Sequence, residues 1–451
     1  MSFLLKPWIA GLLLLCPVSC RTVDRGDTNI MIYQLDVIHY RIRMDIDNRD
    51  HRITGTTDIQ FRALKNLTRL AFNFEGLQID SCRMDNREVQ FNRKEGFLWI
   101  VPGNQVQAGS HHIVTVKYSG IPSDGLIIGQ NKYGHFSAFS DNWANRARHW
   151  FPSIDHPSDK ASVSFEITVP AGYEVVANGN TTKTTTLGGR STYFLEEINP
   201  IPTYCMVVGV CDFSIHPEVT PTDVPLTYYT FPEDSLQAVL GFARAVDMVQ
   251  FYDSLVGPYP YSKLALVQSS TRFGGMENAS AIFFPEDSPL FAVGDAGEVT
   301  LAHEIAHQWF GDAITQSDWS ELWLSEGFAT YFSFLYFEAK DGTARFDELL
   351  TAARNRYEKQ SSKSRPVIDT GYAALADLLN VENYQKGALF LHALRIRIGD
   401  EAWFSGIRRY YKGFKHGNAT TADFEQIMSE ASDTDLKPFF DRWLTKPGIP
   451  E

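Results

Sequence analysis

The stretch that decides the fold is HEIAH at residues 303–307, followed by WLSEG at residues 323–327, which contains Glu326. On an α-helix with 3.6 residues per turn, His303 and His307 lie on one face, so both imidazoles can approach one ion. A carboxylate from the next helix then supplies a third ligand and leaves a fourth position open, as in catalytic zinc sites. Glu304 lies off this line and is predicted to act on a bound water.

Helix signals flank both parts of this pattern. Residues 295–310 are predicted to form one helix that ends at Gly311, and residues 318–321 are predicted to start a second helix with a capping box. On the second helix Glu326 shares a stripe with Leu322, Ala329 and Ser333. A carboxylate on such a stripe is costly to bury without a cation, which a zinc ion would supply. The alternative interpretation of the HEIAH segment is a helix whose two histidines are ordinary surface or core residues and bind no metal.

Two further motifs extend the pattern. GGMEN at residues 274–278 precedes the histidine helix, and YQKGA at residues 384–388 follows Glu326. Together with HExxH-x18-E they resemble the gluzincin aminopeptidases of the M1 family. Segments 36–40, 146–157 and 443–450 resemble further family motifs, so the resemblance covers about residues 30 to 451.

This resemblance implies a zinc-dependent aminopeptidase that hydrolyses N-terminal residues from peptides with a free N-terminus, with one Zn²⁺ per chain. Glu304 would be the general base, and Tyr384 would donate a hydrogen bond to the oxyanion. Glu277 would bind the substrate ammonium. The metal ligands would be His303, His307 and Glu326, and the substrate-binding residues Glu277, Gly274, Gly275, Met276 and Asn278.

The sequence departs from the family pattern at two places. Many members hold the amine with a second Glu or Gln, but that position is Trp143 here. Either Glu277 acts alone, or a neighbour such as Asp141 compensates. The family's C-terminal domains do not follow Glu451, so we expect a more open cleft unless a second chain or the membrane covers it.

Two other functions remain open on the same residues. An exported zinc endopeptidase would use the open cleft to admit long chains. A catalytically retired peptide-binding protein would keep the scaffold without turnover. Zinc content, and cleavage of an amino-acid anilide against its N-acetylated form, would separate these possibilities.

The first twenty residues are predicted to be a signal peptide. Lys6 precedes an apolar run that is too short to span a bilayer, and Cys20 ends a segment that resembles a bacterial lipobox. Pro17 stands where that pattern prefers Leu, so ordinary signal cleavage is the alternative. We expect an exported protein, periplasmic or on the outer face, that is anchored to the membrane through Cys20.

The net charge of −13 disfavours nucleic acid as a partner, and the oligomeric state stays open.

The fold class is predicted to be α+β and multidomain. Apolar residues alternate with period two between residues 21 and 215, which predicts an all-β saddle or sandwich. Residues 217–225 are predicted to be a linker, and Ser235 is predicted to cap a helix that continues to residue 257. Residues 226–451 would then form a mainly helical, thermolysin-like domain.

The cysteines Cys82, Cys205 and Cys211 are predicted to be buried thiols, and Cys205 and Cys211 are predicted to lie on one strand.

Overall fold

The computed structural model of the chain describes residues 34–222, 224–291, 297–361 and 364–450. The predicted signal peptide, including Cys20, lies outside the described residues. The described residues contain no helix with the length and apolar character that crossing a bilayer requires.

The N-terminal part is built from strands whose apolar side chains alternate. In β1 (Leu35–Ile46), Tyr40, Ile42 and Met44 are buried, whereas the residues between them are exposed or half-buried. The strands that follow are β2 (Ile53–Ala63), β3 (Leu70–Asn73), β4 (Gln78–Met84), β5 (Arg87–Glu88), β6 (Gln90–Lys94), β7 (Phe97–Val101), β8 (His111–Gly120), β9 (Leu126–Gln130), β10 (Phe136–Ser140), β11 (Lys160–Pro170), β12 (Glu174–Ala177), β13 (Asn180–Leu187), β14 (Arg190–Pro202) and β15 (Val208–Cys211).

These strands form three sheets. The largest has eight strands in the order β13-β14-β11-β1-β2-β8-β4-β5, in which only the β1–β11 pair is parallel. A four-stranded sheet has the order β12-β15-β10-β9, and a three-stranded sheet has the order β3-β7-β6. Short 3₁₀ turns at Ala147–His149 and Thr203–Cys205 connect them. The predicted β architecture is therefore confirmed.

The second part is mainly helical. Its helices are α1 (Ser235–Phe242), α2 (Ala245–Leu255), α3 (Glu298–His307), α4 (Trp323–Asp341), α5 (Thr343–Gln360), α6 (Gly387–Ile398), α7 (Asp400–Phe414), α8 (Thr421–Ser432) and α9 (Lys437–Leu444). A four-stranded sheet packs beside them, made of β16 (Ser214–Val219), β17 (Pro225–Thr230), β18 (Leu264–Ser269) and β19 (Ala281–Pro285). β20 (Ile314–Gln316) and β21 (Gly417–Ala419) form a small parallel pair. The predicted α+β class is confirmed.

Helix α4 is the centre of this helical part. It packs against α3 on one side and against α5 and α6 on others. Every residue from Trp323 to Phe337 is buried. Helix α4 therefore packs against the protein on all of its faces over this length, and not on one apolar stripe alone. The predicted ligand Glu326 lies in its first turn.

The structure corrects the predictions about the segment between the two parts. Residues 217–225 are not a linker, because β16 and β17 pair as an antiparallel hairpin across this segment. Ser235 is the first residue of α1 and not its cap, and its hydroxyl lies 2.8 Å from His216 Nε2. The predicted single helix is divided, since α1 ends at Phe242 and α2 begins at Ala245.

Three smaller predictions also change. The histidine helix is shorter than residues 295–310: α3 covers Glu298–His307, and Gly311 follows in a left-handed conformation with φ of 124°. The side chain of Asp318 accepts from Ser320 N, but Glu321 does not close a capping box; its carboxylate accepts from Thr421 N at the start of α8.

Cys205 and Cys211 do not share a strand, because Cys205 lies in a 3₁₀ turn and Cys211 ends β15. The prediction of three buried free thiols is confirmed for Cys82, Cys205 and Cys211.

Candidate active site

Three side chains from α3 and α4 converge on one point. His303 Nε2 and His307 Nε2 are 3.0 Å apart, and Glu326 Oε2 lies 3.2 Å from the first and 3.3 Å from the second. A zinc ion with ligand distances of about 2.0–2.2 Å and tetrahedral angles requires ligand atoms to be separated by roughly 3.3 Å. The spacing of this cluster therefore fits zinc.

The outer hydrogen bonds of the cluster also suit a metal. His307 Nδ1 lies 3.0 Å from the carbonyl oxygen of Phe310 and 3.1 Å from Ser325 Oγ. A carbonyl oxygen only accepts, so this contact fixes the ring proton on Nδ1 and turns the Nε2 lone pair towards the cluster.

The carboxylate of the cluster is held in its ionised form. Burial acts to raise the pKa of Glu326, but His307 and His303 outweigh burial and lower the pKa to about 2. An ionised carboxylate is the form that binds a metal. The predicted ligands His303, His307 and Glu326 are thus brought together.

Glu304 lies one position after the first histidine and borders the same cavity as the cluster. Burial raises the pKa of its carboxyl group well above the ordinary value, and the charges of Glu277 and Glu326 act in the same direction. A raised pKa makes this carboxylate a better proton acceptor. A Cβ atom at Gly275 would overlap this carboxylate, so glycine there allows the backbone to approach Glu304.

Tyr384 lies in a π-helical turn, Glu382–Lys386, that leads into α6. Its ring stacks parallel to that of His303, with 5.9 Å between the centroids. Burial, and then the charge of Glu326, raise the pKa of Tyr384 well above its ordinary value, so the phenol stays protonated. It is therefore available as a hydrogen-bond donor beside the cluster.

Close packing fixes the position of this turn. The Cα atom of Gly387 is 3.0 Å from the Cβ that a side chain at Gly327 would have, so only glycine lets α6 approach α4 this closely. Lys386 is fully buried and donates from Nζ to the carbonyl oxygen of Lys446 at 2.7 Å. Lys386 of the YQKGA segment therefore connects the turn of Tyr384 to the segment that follows α9.

Glu277 borders the same cavity and is only 6% exposed. Burial raises the pKa of its carboxyl group to about 7. Within the part of the chain that the structure describes, no Lys or Arg makes an ion pair with it. A buried carboxylate without such a partner is costly, unless a ligand supplies the cation.

Gln308 connects the Glu277 segment to the histidine helix. Its Nε2 donates to the carbonyl oxygen of Glu277 at 2.7 Å and to Asp312 Oδ2 at 2.8 Å. Its Oε1 accepts from Ser280 N at 2.8 Å and from Tyr259 Oη at 3.0 Å. Sequence reasoning missed Gln308, although its place directly after the second histidine is a signal that could have found it.

The other residues of GGMEN have different places. Gly274, Gly275 and Met276 line the cavity, and Met276 forms a backbone bridge with Phe283 of β19. Asn278 is fully buried and does not line the cavity. The side chain of Asn278 is therefore enclosed within the protein, and its part in substrate binding stays a prediction.

Trp143 lines the cavity and packs edge-on against Phe273 and Trp319, with 5.8 Å between the centroids in each pair. Asp141 is fully buried and lies 3.1 Å from Arg146 Nη2, outside the cavity lining. Of these two carboxylates, Glu277 borders the cavity and Asp141 is paired with an arginine.

The groups predicted to carry the chemistry border one cavity of 880 Å³. It contains the three-residue cluster, Glu304, Glu277 and Tyr384. A volume of this size is in the range of sites for small organic ligands.

Comparisons with known proteins agree with this geometry. The family model for the peptidase M1 N-terminal domain matches residues 37–205, and the model for the peptidase family M1 domain matches residues 242–443. Glutamyl aminopeptidase from Sus scrofa is 30% identical over 92% of this chain and 48% of its own length. Leucyl aminopeptidase from Saccharolobus solfataricus is 28% identical over 83% of this chain and 49% of its own length. The chain thus spans about half the length of the curated relatives it matches.

Solved structures share the fold. An M1 zinc metallopeptidase from Deinococcus radiodurans superposes with a TM-score of 0.82 at 24% identity, covering 93% of this chain and 96% of that one. A mutant of the same enzyme bound to a Tyr-Ser-Ala substrate superposes with a TM-score of 0.80. The two family models together match most of the sequence, including every residue of the cluster, and the chain belongs to peptidase family M1.

Proposed function

We propose that this protein is a zinc-dependent aminopeptidase that removes N-terminal residues from peptides. The observation that carries the proposal is the place of Glu277: a buried carboxylate with no ion-paired Lys or Arg among the described residues borders the same cavity as His303, His307 and Glu326. The family is one of zinc metallopeptidases, and the spacing of the cluster supports one Zn²⁺ per chain.

Glu277 gives the site its preference for a free N-terminus. A substrate ammonium is a cation that neutralises this carboxylate, and a charge-assisted hydrogen bond between them orients the first residue. A blocked N-terminus brings no charge and leaves the carboxylate buried and unpaired. The relative bound to Tyr-Ser-Ala supports peptides as the substrate class.

The remaining groups divide the hydrolysis between them. Zinc, when bound, lowers the pKa of water and polarises the scissile carbonyl group. Glu304 accepts the proton of the attacking water and passes it to the leaving amine. Tyr384 donates its phenolic hydrogen to the oxyanion that forms on the substrate carbonyl.

The experiment measures zinc content and the cleavage of an alanyl anilide, with N-acetyl-alanyl anilide as its matched control. We expect one zinc per chain, cleavage of the free amine, and little cleavage of the acetylated form. Equal cleavage of both forms would replace this proposal with an endopeptidase. Peptide binding with zinc present and no cleavage would replace it with a retired binding protein.

We also infer that the protein is exported and anchored to the membrane through Cys20. Support comes from the sequence alone: the positive Lys6, the short apolar run, and a cysteine in a lipobox-like position. Expression of the full chain in a bacterium should place the protein in the membrane fraction, and Cys20→Ala should release it or leave it unprocessed. An unmodified mature N-terminus by mass spectrometry would contradict the lipid anchor.

A further inference from the structure

A second wall of the cavity carries two arginines. On α5 the lining residues recur at helical spacing, so one face of this helix borders the cavity: Leu349, Ala352, Ala353, Arg356 and Gln360. Arg365 lines the cavity from the segment beyond this helix.

The described residues give these guanidinium groups a hydrogen bond but no ion pair. Arg356 donates from Nε to Gln360 Oε1 at 3.3 Å. Neither Arg356 nor Arg365 has a carboxylate within ion-pair distance among the residues that the structure describes. Glu382 also lines the cavity, and its Oε1 accepts from the hydroxyl of Ser361, but it makes no ion pair with either arginine among the described residues. The wall therefore offers several free donors for an anion.

The arginines and Glu277 are carried by different elements of the cavity wall. Glu277 is attached to the α3 side through Gln308, and Glu326 belongs to α4. α4 packs against both α3 and α5, and α5 carries Arg356. Because only Gly342 separates α4 from α5 and both helices line the cavity, they fold back along each other. Glu326 of the cluster and Arg356 thus lie on two packed helices that line the same cavity.

We propose that Arg356 and Arg365 bind a peptide carboxylate that lies beyond the scissile bond. The cavity would have an acidic wall for the substrate ammonium and a basic wall for a carboxylate, with the metal cluster in the same cavity. This polarity matches a short zwitterionic peptide, and the cavity volume suits a ligand of a few residues. The carboxylate comes either from the C-terminus of a short peptide or from an acidic side chain after the cleaved bond. The inference rests on the proposed aminopeptidase function.

The test compares the tripeptide Leu-Ala-Ala as a free acid with its C-terminal amide. Since a charge-assisted pair is lost in the amide, we expect wild-type kcat/KM to be about tenfold higher for the free acid, mainly through KM. The double variant Arg356→Gln/Arg365→Gln should remove this difference. Arg354→Gln, which removes a charge from the same helix outside the cavity lining, is the matched control and should keep it.

A second pair of substrates identifies the source of the carboxylate. Leu-Asp-Ala amide and Leu-Asn-Ala amide differ only in a side-chain charge. A preference for the aspartyl peptide that the double variant removes assigns the arginines to acidic side chains, and a preference confined to free acids assigns them to the C-terminus.

The outcomes separate this inference from the proposed function. Leucyl anilide has no carboxylate, so its cleavage reports the aminopeptidase activity alone and should be unchanged in the double variant. Normal anilide cleavage with equal rates on all charged and uncharged peptides would overturn the arginine receptor only. An equal loss on acid and amide substrates in the double variant would also overturn it. Failure of the zinc-loaded wild type to cleave the anilide would overturn the proposed function itself.

Discussion

Two groups of buried carboxylates in this molecule differ in whether an arginine forms an ion pair with them. In the N-terminal part, Asp141 lies 3.1 Å from Arg146, and Asp155 lies 3.1 Å from Arg148. In the cavity, Glu277 and Glu304 are similarly buried, but neither makes an ion pair with Lys or Arg among the described residues. The first group lies away from the cavity lining, and the second group borders it.

The difference shows that buried charge alone does not mark a functional site. A buried ion pair whose partners are both supplied by the protein is a structural feature, and removing one partner mainly affects folding. A buried carboxylate that faces a cavity without a cationic partner has an uncompensated desolvation cost. Such a group is expected where a ligand supplies the cation. The two groups should therefore respond differently to substitution.

The largest effect is expected for the metal cluster. His307→Ala removes one of three ligands and the ring that is oriented by the Phe310 carbonyl, so the protein should lose both zinc and activity. Zinc content measured by atomic absorption, together with anilide hydrolysis, checks this expectation. A metal-free variant with full activity would exclude a metal role for the cluster.

The next largest effect is expected for Glu304→Gln. The amide keeps the shape of the side chain but does not accept a proton at neutral pH, so turnover should fall by roughly 10²–10⁴-fold. Zinc binding should be unchanged, since Glu304 is not part of the cluster. Turnover close to wild type in the zinc-loaded variant would assign the general base to another residue.

The metal-binding histidine pair was predictable from local geometry, whereas the roles of Tyr384 and Glu277 were implied by the family resemblance. The spacing of His303 and His307 on one helix face is independent of the rest of the fold. The partners of Gln308 and Lys386, the carbonyl oxygens of Glu277 and Lys446, could not be predicted because they are far away in sequence. Every residue has a backbone carbonyl oxygen, so the residue type does not indicate which carbonyl accepts a given hydrogen bond.

The segment at residues 217–225 was misinterpreted for a related reason. Prolines and polar residues favour a linker, but Pro217 lies in β16 at the edge of its sheet, where a missing N–H is tolerated. Strand pairing is a tertiary property, so the local composition could not distinguish an edge hairpin from a linker. The choice between Glu277 and Asp141 required the same information, because only the fold shows which carboxylate is already paired.

Glu277→Gln tests the carboxylates that border the cavity and lack an ion pair with Lys or Arg among the described residues. The substitution keeps the shape but removes the charge, and it should cost about 1.5–3 kcal/mol of transition-state binding, which is one to two decades in kcat/KM. The loss should appear on substrates with a free amine and be small on N-acetylated ones. Steady-state kinetics on both substrate types measures it, and an equal loss on both would contradict ammonium binding by Glu277.

The smallest effect on activity is expected for Asp141→Asn, the matched change on the paired side. Asp141 is buried like Glu277 and lies two residues before Trp143, which occupies the position where many family members hold the amine. Its carboxylate lies 3.1 Å from Arg146 and 3.8 Å from Arg272. Removing its charge breaks a buried ion pair and leaves Arg146 with Asp124, at 3.4 Å, as its ionic partner, so the free energy of unfolding should fall by about 1–3 kcal/mol. The kcat/KM of the folded variant should stay within about threefold of wild type for free-amine substrates. Urea unfolding and kinetics on the same preparation separate the two effects. A stable Asp141→Asn variant that loses free-amine activity as strongly as Glu277→Gln would place Asp141 in amine binding and end the distinction between the two groups.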